Sequence, residues 1–176
     1  MHFEPTEIAG LFAVRLQRFE DSRGSFARLF CRDTFARQGL ADTFVQASLS
    51  VSRRAFTLRG MHFQRRPHEE VKLVRCVRGA IFDVVADLRP DSPSYLRWQG
   101  FELAPEGDVA LYIPEGCAHG FLTLADDSEV LYQMSANYAP DFAGGVRYDD
   151  PALGIVWPRA PSVIAEKDLG WARIAG

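Results

Sequence analysis

The chain has 176 residues, 47% of them hydrophobic and 24% charged, with a formal net charge of -3. That length can bury a core without staples, and that composition belongs to a globular protein rather than a disordered one. The mild negative charge offers no electrostatic basis for binding nucleic acid, and no apolar run approaches the roughly 20 residues of a membrane-spanning helix, so neither partner is expected.

In chain order, Met1-His2-Phe3-Glu4-Pro5 has no basic region followed by an apolar stretch, so no signal peptide is expected. Short β-prone runs separated by turn signals follow at 11–16, 25–30, 43–50, 57–63, 71–77, 80–87, 98–103, 110–113, 120–124 and 129–135. Arg78-Gly79 suits a tight hairpin between two apolar strands. Segments 90–93, 105–108 and 125–128 read as loops. Residues 33–39 are expected to form a short helix capped by Asp33 and ended by Gly39, and Glu166-Lys167-Asp168 a helical turn in the C-terminal tail, 159–176. So many short strands in one unit, 1–176, predict an all-β sandwich or jelly roll with short peripheral helices. The long apolar run 80–86 is expected to be covered on both faces, as packing against a second subunit would do. Cys31, Cys76 and Cys117 are odd in number and widely spaced, which reads as reduced thiols in a cytoplasmic protein. Cys117 stands near His119 and is either a nucleophile or a small buried residue.

Chemistry-bearing residues cluster in four places: Leu58-Arg59-Gly60-Met61-His62-Phe63-Gln64 with Lys72-Leu73-Val74-Arg75; Ile113-Pro114-Glu115-Gly116-Cys117-Ala118-His119-Gly120-Phe121; Leu131-Tyr132 with Tyr138; and Glu166-Lys167-Asp168. Strand alternation places Arg59, Met61 and Phe63 on one face and Gly60 and His62 on the other. An inward His62 alone is either a hydrogen-bonded core histidine or a working one. Lys72 stands among Val71, Leu73, Val74 and Cys76; it either turns to solvent by alternation or, if buried, needs an anionic partner. Pro114-x-Gly116-x-x-His119 resembles the second motif of the cupin superfamily. The His-x-His pair of a metal cupin is missing, since His62 is followed by Phe63-Gln64, so a metal-free cupin without cofactor is expected.

Taken together and in order, these motifs resemble the dTDP-4-dehydrorhamnose 3,5-epimerase family. So do Asp21-Ser22-Arg23-Gly24-Ser25-Phe26, Phe44-Val45-Gln46, Asp83-Val84-Val85-Ala86-Asp87-Leu88-Arg89, Ile155-Val156-Trp157-Pro158 and Lys167-Asp168. The resemblance implies a cupin-type jelly roll acting on a nucleotide-diphospho-4-keto-6-deoxy sugar. His62 matches the catalytic base, Asp168 its carboxylate partner, Tyr132 the general acid on the opposite sugar face, and Lys72 the group that stabilises the enolate oxygen. Arg23, Gln46, Ser48, Arg59, His119 and Lys167 fall at substrate-binding positions, and Tyr138 matches an aromatic near the base. The resemblance also implies a homodimer that exchanges N-terminal strands and shares its active sites. Arg28, Ser48 and Ala143 depart from residues common in the family, all around the nucleotide. The chemistry fits the cast: a hydrogen next to a ketone is acidified through an enolate, histidine is a base near neutral pH, and inversion needs a second donor from the other face. A 3,4-ketoisomerase of 4-keto sugars, a metal-dependent cupin enzyme and a non-catalytic sugar-nucleotide binder are the alternatives. The retained His62, Asp168, Tyr132 and Lys72 argue against the last, because binding alone needs no opposed acid and base.

Overall fold

The computed structural model describes residues 1–174. Strands β1 (His2–Pro5), β2 (Phe12–Arg15), β3 (Arg18–Asp21) and β4 (Gly24–Ala27) lead to helix α1 (Arg32–Arg37). Then come β5 (Gln46–Ser52), β6 (Thr57–Gln64), β7 (Lys72–Arg78), β8 (Ile81–Asp87), β9 (Trp98–Leu103), β10 (Val109–Ile113), β11 (Cys117–Thr123) and β12 (Ser128–Met134). The chain closes with β13 (Ala143–Gly145), β14 (Val163–Ile164) and helix α2 (Glu166–Leu169). One sheet has the order β1-β2-β10-β7-β12-β5, the other β13-β6-β11-β8-β9 with β14 added to β6, and β3–β4 is a separate hairpin. From β5 to β8 and again from β9 to β13 successive strands alternate between the two sheets, while β8 and β9 pair within one, the winding of a jelly-roll sandwich. No helix among the described residues is long and apolar enough to cross a membrane.

Three apolar clusters hold the layers. Val74, Cys76, Val85, Leu111, Phe121 and Val130 pack between the sheets. Phe35 of α1 is fully buried against Leu73, Ala110 and Tyr112 on the outside of the first sheet. Met61, Val84, Ala86 and Ala118 form the third cluster, with Val146, Leu153, Ile155 and Trp157 laid over them. Apolar burial at roughly 25 cal/mol per Å² makes these clusters the main source of stability.

The structure changes several expectations. Arg78-Gly79 does not close a hairpin. β7 pairs with β10 and β12, while β8 pairs with β11 and β9, so this turn steps from one sheet to the other. A turn signal records only a chain reversal, and both strands are apolar because each lies inside its own sheet. The run 80–86 needs no second subunit to cover it, because segment 146–157 of the same chain lies over Val84 and Ala86. α1 starts at Arg32 with Cys31 at the N-cap position, and Asp33 sits in the first turn, where a carboxylate still suits the helix dipole. β1, β3, β13 and β14, each two to four residues long, fall outside the expected strands.

Candidate active site

A cavity of about 580 Å³ opens between the two sheets. Its walls are Ser48 and Ser50 of β5, Lys72 of β7 and Tyr132 of β12 on one side, and Leu58, Arg59 and His62 of β6 with His119 of β11 on the other. The tail from Val163 to Asp168 and Tyr138 complete the rim.

Arg59 and His62 share this cavity although alternation places them on opposite faces. The ladder supplies the reason: His62 pairs with His119 but Arg59 with Phe121, so two residues of β6, Gly60 and Met61, stand against one of β11, Gly120. The extra residue turns Arg59 inward. Glycines make the bulge possible, since a Cβ on Gly60, whose φ is +147°, would stand 2.6 Å from the Gly120 Cα. Met61 and Phe63 keep the opposite face and enter the outer cluster.

His62 is 40% exposed toward the cavity, and its Nε2 lies 2.6 Å from Asp168 Oδ1. The second carboxylate oxygen accepts from the Gly60 N–H at 3.2 Å. Burial pushes the Asp168 carboxyl upward, but the contacts with His62 and Gly60 outweigh it and hold the group below its ordinary range. An ionised carboxylate orients the ring and stabilises an imidazolium, leaving Nδ1 free to take a proton. The Trp171 indole meets the His62 ring edge-on, with centroids 6.2 Å apart. It fits only because Gly145, the register partner of His62, lacks a side chain; a Cβ there would lie 2.3 Å from the indole.

Tyr132 faces the cavity from the opposite sheet, its ring edge-on to His119 at 5.8 Å. Burial, reinforced by Asp83 and opposed by Arg59, pushes its phenol well above the ordinary range, so it holds its proton. His119 is buried, and its Nε2 lies 2.9 and 3.0 Å from the two oxygens of Asp83. Lys72 is 8% exposed, which excludes the solvent-facing reading. Arg59 is anchored through Nε to Ser52 Oγ at 3.1 Å and through Nη2 to the Val51 carbonyl at 3.0 Å. Lys167 places its Nζ 5.5 Å from the Trp171 ring centroid, a cation–π contact.

Other expected site residues fall outside the cavity walls. Gln46 accepts the Tyr138 N–H at 2.6 Å and so fixes the backbone of that exposed aromatic. Arg23 is 87% exposed at the tip of the β3–β4 hairpin, bonded to Asp21 and away from this cavity. Arg28 is exposed, and Ala143 lies on β13 beside Gln64. Cys117 is buried in the core, where desolvation pushes its thiol up to about 12, so it is no nucleophile at neutral pH. Glu70, Ser50 and Trp171 carry no functional signal in the sequence, and Asp83, though it opens the motif 83–89, has no role assigned by it. Glycines inside strands, Gly60 and Gly120, were the available sign of a close backbone crossing at this point. Among the described residues no three His, Cys, Asp or Glu side chains converge as metal ligands, and both cavity histidines already face carboxylates.

A jelly-roll sandwich with a carboxylate-held histidine facing a tyrosine across one cavity has the form of a cupin-type site suited to proton transfer. The sequence model of the dTDP-4-dehydrorhamnose 3,5-epimerase family matches residues 5–175. A dTDP-4-dehydrorhamnose 3,5-epimerase of Sinorhizobium fredii (strain NBRC 101917 / NGR234) is 42% identical over 170 residues, covering 96% of this chain and 87% of that protein. A dTDP-4-dehydrorhamnose 3-epimerase of Streptomyces niveus is 38% identical over 182 residues, covering 100% and 87%. The crystal structure of a dTDP-4-dehydrorhamnose 3,5-epimerase from Bacillus anthracis str. Ames, with TDP and PPi bound, matches with a TM-score of 0.95 at 34% identity, over 98% of this chain and 99% of that one. The chain belongs to the dTDP-4-dehydrorhamnose 3,5-epimerase family.

Proposed function

We propose that this protein epimerises a dTDP-linked 4-keto-6-deoxy sugar at C3, C5 or both, by proton abstraction and return through an enolate. The observation that carries the reading is the His62–Asp168 pair, 2.6 Å apart, facing Tyr132 across a single cavity that also holds Lys72. His62 takes the proton next to the ketone, Asp168 stabilises the imidazolium, and Lys72 places positive charge where O4 becomes negative. Tyr132, kept protonated by burial, returns a proton from the other face, which inverts the centre. The two groups stand on opposite sheets, so a ring lying between the sheets meets one on each face. Arg59 and Lys167 offer cationic contacts for the diphosphate, with Ser48 and His119 completing the contacts, and Tyr138 offers a ring for the base. No metal or cofactor enters this chemistry.

The molecule works as a homodimer with shared sites. Leu49 and Val51 on the edge strand β5 are exposed, as are Val45, Val77, and Phe19 and Phe26 on the hairpin. An exposed apolar edge is a ready place for a second copy to pair. The exposed Arg23, remote from its own chain's cavity, is the residue to be delivered to the partner's site. Three unpaired cysteines suit a reducing cytoplasm. The function is tested by incubating the protein with dTDP-4-keto-6-deoxyglucose in D2O, with and without EDTA. Deuterium at C3 or C5 with inversion, unaffected by EDTA, is the expected outcome. Movement of the ketone from C4 to C3 points to a ketoisomerase instead, and loss of activity with EDTA to a metal enzyme.

A further inference from the structure

The chain has two lysines, Lys72 and Lys167, and the fold buries Lys72. Its Nζ lies 3.3 Å from Glu70 Oε1 and donates to the His62 carbonyl at 3.2 Å. Glu70 is itself only 11% exposed and lines the same cavity. Its other oxygen accepts from Gln64 Nε2 at 3.3 Å. Gln64, buried, also donates to the His68 carbonyl at 2.9 Å and the Asn137 carbonyl at 3.3 Å, and accepts the Ala139 N–H at 2.6 Å. One side chain thus binds the loop carrying Glu70 to the segment carrying Tyr138.

We propose that Glu70 is a positioning residue of the active site, whose carboxylate keeps the Lys72 ammonium charged and aimed into the cavity while Gln64 fixes that carboxylate relative to the Tyr138 segment. An isolated ammonium in a dry pocket gives up its proton rather than its hydration. Burial lowers the Lys72 pKa, and Glu70 is the chief influence raising it again, with Asp83 adding to it. The other charged or titratable groups around the cavity are already engaged or cannot help. Asp168 is held by His62, and Asp83 on β8 binds His119 on β11 through both oxygens. Tyr132 on β12 is a neutral phenol, Tyr138 stands at the rim, and Arg59 on β6 and Lys167 on α2 are cations. Glu70 is the carboxylate within ion-pair distance of Lys72 among the described residues. As the ketone oxygen becomes an oxyanion, the ammonium can be shared between it and Glu70, so the positive charge is in place before the substrate arrives.

The proposal rests on the role given above to Lys72, yet its test needs no substrate. Protein labelled with 13Cε-lysine gives two lysine signals, which Lys167→Arg assigns. In Glu70→Gln the Lys72 titration midpoint is expected to fall by about 1–3 pH units while Lys167 stays in place. The alkaline limb of kcat/KM should move down with it, kcat should fall, and TDP should bind as before. Glu70→Asp, which keeps the charge, should hold the midpoint closer to the parent and covers the case in which Glu70→Gln does not fold. An unchanged Lys72 midpoint in folded Glu70→Gln overturns the proposal, as does a Glu70→Asp midpoint shifted as far as that expected for loss of the charge. Deuterium exchange by the parent protein tests the epimerase reading separately.

Discussion

In the proposed mechanism two side chains of ordinary chemistry become a reactive pair through their surroundings. His62 is held by a buried carboxylate at 2.6 Å, while Tyr132 across the cavity is desolvated. Asparagine at 62 keeps much of the ring's size and polarity but removes the base. His62→Asn should therefore lose exchange at both carbons by about 10²–10⁴-fold, with the circular dichroism of the parent. Deuterium uptake at the parent's rate in that variant would remove His62 from the mechanism. Tyr132→Phe keeps the ring against His119 and deletes only the hydroxyl. Abstraction by His62 should survive, so solvent deuterium continues to enter with retention while inversion falls by about 10²-fold or more. Inversion at the parent's rate would show that another group delivers the proton.

At the scale of elements, the geometry of the cavity depends on small irregularities and on loops being tied down. The two-against-one pairing of β6 with β11 rotates Arg59 into the cavity beside His62. Asp87 at the end of β8 ties down the loops at the other end of the sheet. It accepts from Arg89, Ser92 and Ser94, while Arg89 and Ser94 bond the Ala9 carbonyl and N–H. Burial pushes its carboxyl up, but these bonds prevail and hold it at about 2. A carboxyl with a depressed folded-state pKa stabilises the protein above its unfolded pKa, near 4, and that contribution is lost as pH falls toward 2. Asp87→Asn should cost about 2 kcal/mol at pH 7, and urea unfolding should show the difference shrinking between pH 4 and pH 2. A difference that persists unchanged at pH 2 would mean the loss is one of packing.

For the whole molecule, the exposed hairpin and the exposed edge of β5 carry the proposed assembly. Phe26 is 67% exposed and Phe19 57%, an arrangement that costs free energy in a monomer. If Arg23 serves the partner's cavity, an inactive His62→Asn chain and an inactive Arg23→Ala chain should recover activity when mixed and exchanged. Each heterodimer would then hold one site with both lesions and one with neither, so recovery approaches half the parental activity per heterodimer. Sedimentation as a monomer, or silence in a verified heterodimer, would count against sharing.

Much of this protein is legible in its residues taken in order. Period-two runs punctuated by Gly, Pro and Asp define the strands because side-chain alternation and turn conformations are local properties. The ordered motifs around His62, His119 and Lys167-Asp168 point to the family to which the chain belongs. Even Lys72 is marked in advance, since a lysine inside an apolar run demands either solvent or a partner. What chain order could not supply is any relation decided by who pairs with whom. The Arg78-Gly79 turn reads as a hairpin until the ladders place its two strands in different sheets. Arg59 reads as facing away from His62 until a slip against β11 turns it inward. Trp171 carries no local signal and Asp83 only its place in the motif 83–89, because each meets its partner only when strands or the tail are folded together. Glu70 stands two residues from Lys72, but only burial makes the two a needed pair. Local sterics write periodicity into the sequence, whereas the cavity is made by contacts between residues far apart along the chain, and only packing brings those into range.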